Sequence, residues 1–383
     1  MIYLDHAAST PVRPEVFAAM EPHFAEDFGN PSGVHQAART ARRAVDDARE
    51  RLAAALCCEP GELVFTSGGT EADNLAVTWS ALHAIAEGAP APLVCCSAVE
   101  HPAVLEPVRF LGGLELPVDQ AGVVDLGALR AVLEVEGDRV VLVSVMLANN
   151  ETGVVEPVSE VARIVHDLVP GALVHSDAVQ ALRWLEVATE TAGADLVTVT
   201  AHKIGGPKGI GALVVRGDAR RRLAPVLRGG PQERELRAGT LNVPGIVGFA
   251  RAAELAVAER AELSQRVALL GGRLLAGILN AAPAACPAVT GAERLGSIVN
   301  VRFPGVEAEE LLLLLDQQGV AASAGSACAS GALEPSPVLK AMGVAAGEAR
   351  SHVRFSLGLS TTEADVDGAV QAVAAALGRL GAA

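Results

Sequence analysis

Residues 196–209 read Leu-Val-Thr-Val-Thr-Ala-His-Lys-Ile-Gly-Gly-Pro-Lys-Gly, and this stretch decides the predicted fold. Its first five residues form an apolar, β-branched run typical of a buried strand, and the glycines that follow indicate a turn. Similar Val-rich runs recur along the chain, separated by segments with helical patterns. They lie at residues 63–66, 93–96, 140–146, 172–175 and 212–216. Strands of this kind, spaced by helices, predict an α/β fold with a mostly parallel sheet flanked by helices.

The chain of 383 residues is too long for one simple core. An Ala-rich, charged helix predicted from about residue 244 to 279 would connect a large domain to a smaller α+β domain. We expect the large domain at residues 13–250, and the small domain at residues 1–12 and 251–383. The strands predicted for the small domain are 297–303, 320–323 and 351–356.

Composition argues against several classes of function. The formal net charge is −15, whereas a nucleic-acid-binding protein needs a basic face. Residues 1–6 lack the basic start and apolar core of a secretory signal. No apolar run approaches the roughly 18–20 residues that a membrane helix needs. We therefore expect a cytoplasmic protein that contacts neither membranes nor nucleic acid directly.

Cys328 is the most unusual of the six cysteines. It lies in Ser-Ala-Gly-Ser-Ala-Cys-Ala-Ser-Gly at residues 323–331, where no bulky side chain anchors the backbone and the glycines leave it free. We predict a nucleophilic thiol on a mobile loop at about residues 322–334. The adjacent pairs at 57–58 and 95–96 lack the spacing of zinc sites and are expected to be free thiols that pack in the core.

A lysine and an aspartate follow neighbouring predicted strands. Ligands of an open parallel sheet bind beyond the carboxyl ends of the strands, and Asp177 and Lys203 both lie there. The pair suits pyridoxal phosphate, because the lysine forms a Schiff base and the carboxylate keeps the pyridine nitrogen protonated. Taken alone, Asp177 could equally cap the next helix. For the pair, the rival interpretation is a buried structural ion pair. Lys208, in the Gly-rich loop, is a weaker candidate for the Schiff base.

The turn at residues 66–74, Thr-Ser-Gly-Gly-Thr-Glu-Ala-Asp-Asn, follows a strand and opens a helix. Glycines admit an anion, and a helix N-terminus offers free N–H groups, so Gly69 and Thr70 would hold a phosphate. A plain capping turn is the alternative.

Three further polar residues are candidates for binding or catalysis. His101 follows a strand and would either stack on a cofactor ring and shuttle protons or cap a helix. Asn150 would bond a ring substituent or the substrate. Arg354 has apolar neighbours and needs a partner for its planar fork, either a substrate α-carboxylate or an internal salt bridge.

Together these segments resemble the cysteine desulfurases, within the class V aminotransferase-like pyridoxal-phosphate enzymes of fold type I. The resemblance runs over almost the whole chain and is carried by an ordered set of motifs. They are Tyr-Leu-Asp-His-Ala-Ala-Ser-Thr-Pro at 3–11, Phe-Gly-Asn-Pro-Ser at 28–32, Phe-Thr-Ser-Gly-Gly-Thr-Glu at 65–71, Asn-Asn-Glu-Thr-Gly at 149–153, His-Lys-Ile-Gly-Gly-Pro-Lys-Gly at 202–209, Arg-Ala-Gly-Thr at 237–240, and Gly-Ser-Ala-Cys-Ala-Ser at 325–330 with Leu-Glu-Pro-Ser at 333–336.

The resemblance implies a role for each matching residue. Lys203 becomes the Schiff-base lysine, Asp177 the partner of the pyridine nitrogen, and His101 the ring-stacking proton shuttle. Thr240 would reach the phosphate of the other subunit, which implies a homodimer. The remaining implied contacts are Gly69, Thr70, Thr200 and His202 with the phosphate, Gln180 with the ring oxygen, Asn150 with cofactor or substrate, and Arg354 and Asn30 with the substrate.

The implied reaction removes sulfur from L-cysteine and gives L-alanine and a persulfide on Cys328. No resident metal is expected, although Cys328 is a candidate transient cluster ligand. The sulfur would pass to an acceptor protein for iron–sulfur cluster assembly, tRNA thiolation or DNA phosphorothioation. The alternatives are a selenocysteine lyase or an aminotransferase on the same scaffold, and a non-catalytic sulfur-relay scaffold.

Overall fold

The computed structural model describes residues 1–225, 227–324 and 335–382. Within these ranges the strands are β1 (Ile2–Tyr3), β2 (Leu63–Thr66), β3 (Leu93–Ser97), β4 (Leu114–Leu116), β5 (Val140–Ser144), β6 (Leu173–Asp177), β7 (Leu196–Thr200), β8 (Gly211–Val215), β9 (Cys286–Pro287), β10 (Ile298–Arg302), β11 (Val320–Ala321) and β12 (His352–Ser356). The α-helices are α1 (Pro14–Met20), α2 (Pro22–Ala25), α3 (Gln36–Leu56), α4 (Gly69–Ala86), α5 (Pro102–Phe110), α6 (Leu126–Glu136), α7 (Val158–Leu168), α8 (Val187–Glu190), α9 (Val243–Ala281), α10 (Ala308–Gln317), α11 (Pro337–Ala341) and α12 (Glu363–Leu380). Among the helices of these described ranges, none has the length and apolar character that a bilayer crossing requires.

Seven strands form the central sheet in the order β2-β8-β7-β6-β5-β3-β4. The run from β7 to β4 is parallel, which confirms the predicted α/β fold with a mostly parallel sheet. Alternate residues of β7 enter different cores, because Val197 and Val199 pack in one apolar cluster and Leu196 packs in another. The sheet is therefore buried on both faces, as its uninterrupted apolar strands require.

Two strands differ from the sequence prediction. β8 is antiparallel to both β7 and β2, since the connection from β7 is too short for the crossover that a parallel pair needs. β4 was not predicted, because two of its three residues are exposed and it lacks an apolar run.

The long helix α9 connects two apolar cores. Its first half, including Ile246 and Phe249, packs with the central sheet, whereas Leu263, Leu270 and Ile278 pack with a second core. That second core also contains residues of the three-stranded antiparallel sheet β12-β10-β9 and of α10 and α12. The predicted strand at 320–323 is shorter than expected and pairs with β1 in a separate two-stranded sheet. The predicted division at residue 250 falls within α9 and stays a prediction.

The adjacent cysteine pairs behave differently from each other. Cys95 and Cys96 are buried in the central sheet, as predicted, and burial raises the pKa of Cys95 to about 12. Cys57 is exposed, contrary to the expected packing role, because it follows the last turn of α3 with a left-handed backbone (φ 51°). The next thiol, Cys58, is half-buried.

Candidate active site

A cavity of about 1200 Å³ lies at the carboxyl ends of β6 and β7. Parallel strands bring the residues that follow them to one edge of the sheet, which explains why distant motifs meet here. Ten residues of the predicted site line this cavity. They are Gly69, Thr70, His101, Asn150, Asp177, Gln180, Thr200, His202, Lys203 and Arg354.

Lys203 lies in a single 3₁₀ turn (Ala201–Lys203) directly after β7. Its Nζ donates to the carbonyl oxygens of Ala7, at 2.5 Å, and Ala8, at 2.9 Å. The Gln180 side-chain amide donates to the same Ala7 carbonyl at 2.8 Å. The N-terminal segment thus forms one wall of the cavity and holds the lysine amine at its edge.

Asp177 is the last residue of β6 and is buried. Its Oδ1 accepts a hydrogen bond from the Val179 amide at 2.8 Å. Burial raises the pKa of the Asp177 carboxyl, while His101 and Lys203 act in the opposite direction. A further positive partner in the cavity would favour the ionised carboxylate.

His101 is both a helix cap and a cavity residue, so the two predicted roles coexist. Its Nδ1 accepts a hydrogen bond from the Ala103 amide at 3.1 Å at the start of α5. Burial lowers the pKa of His101, Asp177 raises it, and Lys203 lowers it. The ring is therefore neutral at neutral pH, and because Nδ1 is an acceptor, Nε2 carries the proton.

A cavity of about 320 Å³ opens at the N-terminus of α4. It is lined by Gly69 and Thr70 of that helix, by Thr200 and His202, and by Lys208. A Cβ on Gly69 would lie 2.8 Å from the Val179 side chain, so this position tolerates only glycine without a shift. The acidic residue here, Glu71, is already paired with Arg237 at 2.8 Å. Helix amides, hydroxyls and a lysine suit a phosphate.

Arg354 of β12 is buried against two residues from distant parts of the chain. Its guanidinium donates at 2.8 Å to the Asn150 backbone carbonyl and at 2.8 Å to the Asp5 carboxylate. The predicted internal salt bridge is therefore present, and the same residue lines the cavity. Nε has no hydrogen-bond partner within residues 1–225, 227–324 and 335–382.

Comparison with known proteins identifies the family. The class V aminotransferase model matches residues 2–368. A cysteine desulfurase IscS from Anaeromyxobacter sp. (strain Fw109-5) is 45% identical over 378 residues, which cover 97% of this chain and 91% of the relative. The chain belongs to the cysteine desulfurases of the class V aminotransferase family. Among solved structures, a NifS-like protein has a TM-score of 0.90 at 34% identity, with 99% of both chains covered. A structure titled SspA in complex with cysteine has a TM-score of 0.79 at 31% identity, covering 93% of this chain and 99% of that one.

Pyridoxal phosphate is the cofactor of this desulfurase family, and the residues of this chain fit it. The cavity joins an anion-binding helix N-terminus, a lysine amine and a buried carboxylate whose pKa is raised. These three features match the phosphate, the carbonyl and the pyridine nitrogen of the cofactor.

Two predicted site residues of this desulfurase, Thr240 and Asn30, do not line the cavity, and a third falls outside the part of the chain that the structure describes. Thr240 is exposed. Asn30 is also exposed, and its side-chain oxygen accepts from the Ser32 amide at 3.0 Å. Cys328 lies outside the described residues. The roles of all three stay predictions.

The cavity lining of this desulfurase also includes residues that were not predicted, and two of them are buried acids. Asp73 of α4 is buried, with Oδ1 3.6 Å from Nε2 of His175. Glu100 is also buried, and accepts from the Ser97 hydroxyl at 2.7 Å and the Met146 amide at 2.6 Å. Burial raises the pKa of both carboxyls, and Asp177 raises it further. The sequence did offer a signal for Glu100, because it is an acid that lies three residues after the buried strand β3.

Proposed function

We propose that this chain removes sulfur from L-cysteine and gives L-alanine and a persulfide on Cys328. One observation carries the proposal: a lysine, a neutral histidine, a buried aspartate and a buried arginine line the same cavity. They are Lys203, His101, Asp177 and Arg354. In that order, they supply an amine for a Schiff base, a carrier of protons, a partner for the cofactor's ring nitrogen and a binding group for the substrate carboxylate.

We assign the cofactor contacts to residues at two ends of the cavity. Pyridoxal phosphate, when bound, supplies an electron-accepting ring and a carbonyl for a Schiff base. Lys203 is the Schiff-base lysine in this proposal, since its amine already lies at the cavity edge. Asp177 would hold the ring nitrogen, whose positive charge would offset the cost of burying the carboxylate. Thr70 and His202 belong to the phosphate end.

His101 and Lys203 handle the protons. Burial keeps the His101 imidazole neutral, and its Nδ1 is committed to the Ala103 amide. Nε2 is therefore the ring atom left to exchange protons with the substrate. Lys203 is the second proton carrier, with its Nζ on the same cavity wall.

Arg354 receives the substrate α-carboxylate. The guanidinium is buried and is held from two sides by Asp5 and Asn150, and no residue that the structure describes accepts a hydrogen bond from its Nε. A charge-assisted contact from such a fixed donor orients the amino acid strongly.

Sulfur transfer to Cys328 completes the reaction. The substrate C–S bond breaks, a new S–S bond forms to the Cys328 sulfur, and the former thiomethylene carbon becomes the methyl group of alanine. L-cysteine and one protein thiol thus yield L-alanine and one protein persulfide, with atoms and electrons balanced. The reactive species is the Cys328 thiolate.

The active assembly is a homodimer in this proposal. Thr240 is exposed in the single chain, as a residue that reaches the other subunit must be. Phe17, Phe24 and Phe28 are also more than half exposed, which supports a surface covered by a partner. Light scattering tests this directly, since a monomer mass would contradict it.

The persulfide is passed to an acceptor protein, for iron–sulfur cluster assembly or another sulfur-modification pathway. The defining experiment incubates the cofactor-loaded protein with L-cysteine and a reductant and quantifies alanine and sulfide. Equal amounts of the two support the desulfurase. Alanine without sulfide, or transamination to a keto acid, would contradict it. L-selenocysteine in a parallel reaction tests the selenocysteine lyase alternative.

A further inference from the structure

A smaller cavity, of about 180 Å³, lies on the other side of the Lys203 wall. Ala7, Gln180 and Lys203 line both this cavity and the active-site cavity. Arg183, which follows β6, lines the smaller one. The volume far exceeds the roughly 10–15 Å³ that one water molecule needs.

Arg183 brings a buried charge to this cavity. The residue is 3% exposed, and its Nη2 donates to the Ile204 carbonyl, but Nε and Nη1 have no hydrogen-bond partner among the residues that the structure describes. Among the residues that the structure describes, no carboxylate forms an ion pair with Arg183. The nearby carboxylate of Glu259 instead pairs with Arg13, with 2.6 Å between Nη1 of Arg13 and Oε2 of Glu259.

The charge of Arg183 persists at neutral pH. Burial, and then the proximity of Arg13, lower the pKa of Arg183 to about 10, while Glu259 raises it. A buried cation without a counterion is strongly unfavourable, so this position favours an anion.

The rest of the lining is also suited to an anion. His6 is 6% exposed, and neither ring nitrogen has a hydrogen-bond partner in the described ranges of the chain. Burial, followed by the charge of Arg183, lowers the pKa of His6 to about 4, so the ring is neutral and offers one N–H donor. Within the described part of the chain, no aspartate or glutamate lines this cavity.

We propose that this cavity is a binding site for a small monocarboxylate or a similar monoanion, held by the guanidinium of Arg183. The hydrogen-bond donors are Nε and Nη1 of Arg183 and one ring N–H of His6. The positive charge of Arg183 makes the site selective for anions. The site is separate from the substrate arginine Arg354 and does not depend on the reaction assigned above.

Calorimetric titration of the cofactor-loaded protein with sodium formate tests the proposal. Ionic strength is held constant with a bulky organic sulfonate that is too large for the cavity. We expect saturable heat and a melting temperature that rises with formate concentration, because the anion binds only the folded chain. The absence of saturable heat in the unaltered protein overturns the proposal.

Variants locate the bound anion. Arg183→Met keeps most of the aliphatic stem and should weaken formate binding by about tenfold or more, since a charge-assisted contact is lost. Arg183→Lys keeps the charge, so it should weaken formate binding less than Arg183→Met. It is also the variant to measure if Arg183→Met does not fold. Arg273→Met is the matched control, because Arg273 pairs with Asp367 at a remote surface. Formate binding that survives in Arg183→Met, as it would at Arg354, contradicts the proposal.

Discussion

The guanidinium of Arg354 donates at 2.8 Å to the carboxylate of Asp5, a residue 349 positions away in the chain. The contact joins β12 to the N-terminal segment, and that segment also supplies the Ala7 and Ala8 carbonyls that hold Lys203. The carboxylate receptor and the Schiff-base lysine of the proposed mechanism are therefore both positioned by residues 5–8. Disturbing this segment should affect substrate binding and cofactor attachment together.

Arg354→Lys should raise the KM for L-cysteine by about tenfold or more, because an ammonium cannot reproduce the planar fork. The effect on kcat should be smaller. Cysteamine, which lacks the carboxylate, is the control ligand, and its inhibition constant should change little. An equal loss for both compounds would show that Arg354 does not recognise the carboxylate.

Lys203→Ala should abolish the visible absorbance band that forms when pyridoxal phosphate is added, since no Schiff base forms without this amine. Lys208→Ala is the matched control. Lys208 lines the phosphate cavity, so its loss should weaken cofactor affinity but leave the band. A band in the Lys203 variant and none in the Lys208 variant would reverse the assignment.

Asp177→Asn should retain the cofactor band but lower kcat by about two orders of magnitude, because an amide cannot keep the pyridine nitrogen protonated. The loss should appear in kcat more than in the KM for L-cysteine. A variant with nearly full activity would leave Asp177 with only its bond to the Val179 amide.

Glu156→Gln should stabilise the fold at pH 8 more than at pH 5. Glu156 is buried, and its Oε2 accepts from the Val124 amide at 2.9 Å, a bond that glutamine can keep. Burial, with a smaller contribution from Asp119, raises its pKa from 4.5 to about 8. The unfolded chain therefore ionises above about pH 4.5 while the folded chain stays protonated, and stability falls as the pH rises towards 8.

Melting temperatures of the wild type and Glu156→Gln, measured from pH 5 to pH 8, test this prediction. The difference between them should grow in favour of the glutamine variant as the pH rises. A difference independent of pH would mean that Glu156 is ionised in the folded protein.

The sequence predicts the central sheet well because its strands carry uninterrupted apolar runs. The carboxyl ends of β6 and β7 could be located for the same reason, and Asp177 and Lys203 with them. By contrast, β8 has the same composition as the parallel strands, and only the length of the chain before it reveals its direction.

Contacts between distant segments are harder to predict. Nothing in the local pattern around Asp5 or Arg183 indicates which residue each contacts, because the partners of buried polar groups depend on packing. Cys57 was expected to pack in the core at the end of a helix, yet its left-handed backbone leaves it exposed. Composition alone does not determine whether a residue at a helix end is buried or exposed.

Mass analysis of the protein after a single turnover with L-cysteine tests the central claim most directly. We predict one additional sulfur atom on the peptide that contains Cys328, together with one alanine per active site. Cys328→Ser should keep the visible cofactor band but gain no sulfur, whereas Cys57→Ser, which removes an exposed thiol, should behave like the wild type. Sulfur on another cysteine, or alanine formed at the normal rate without Cys328, would contradict the account.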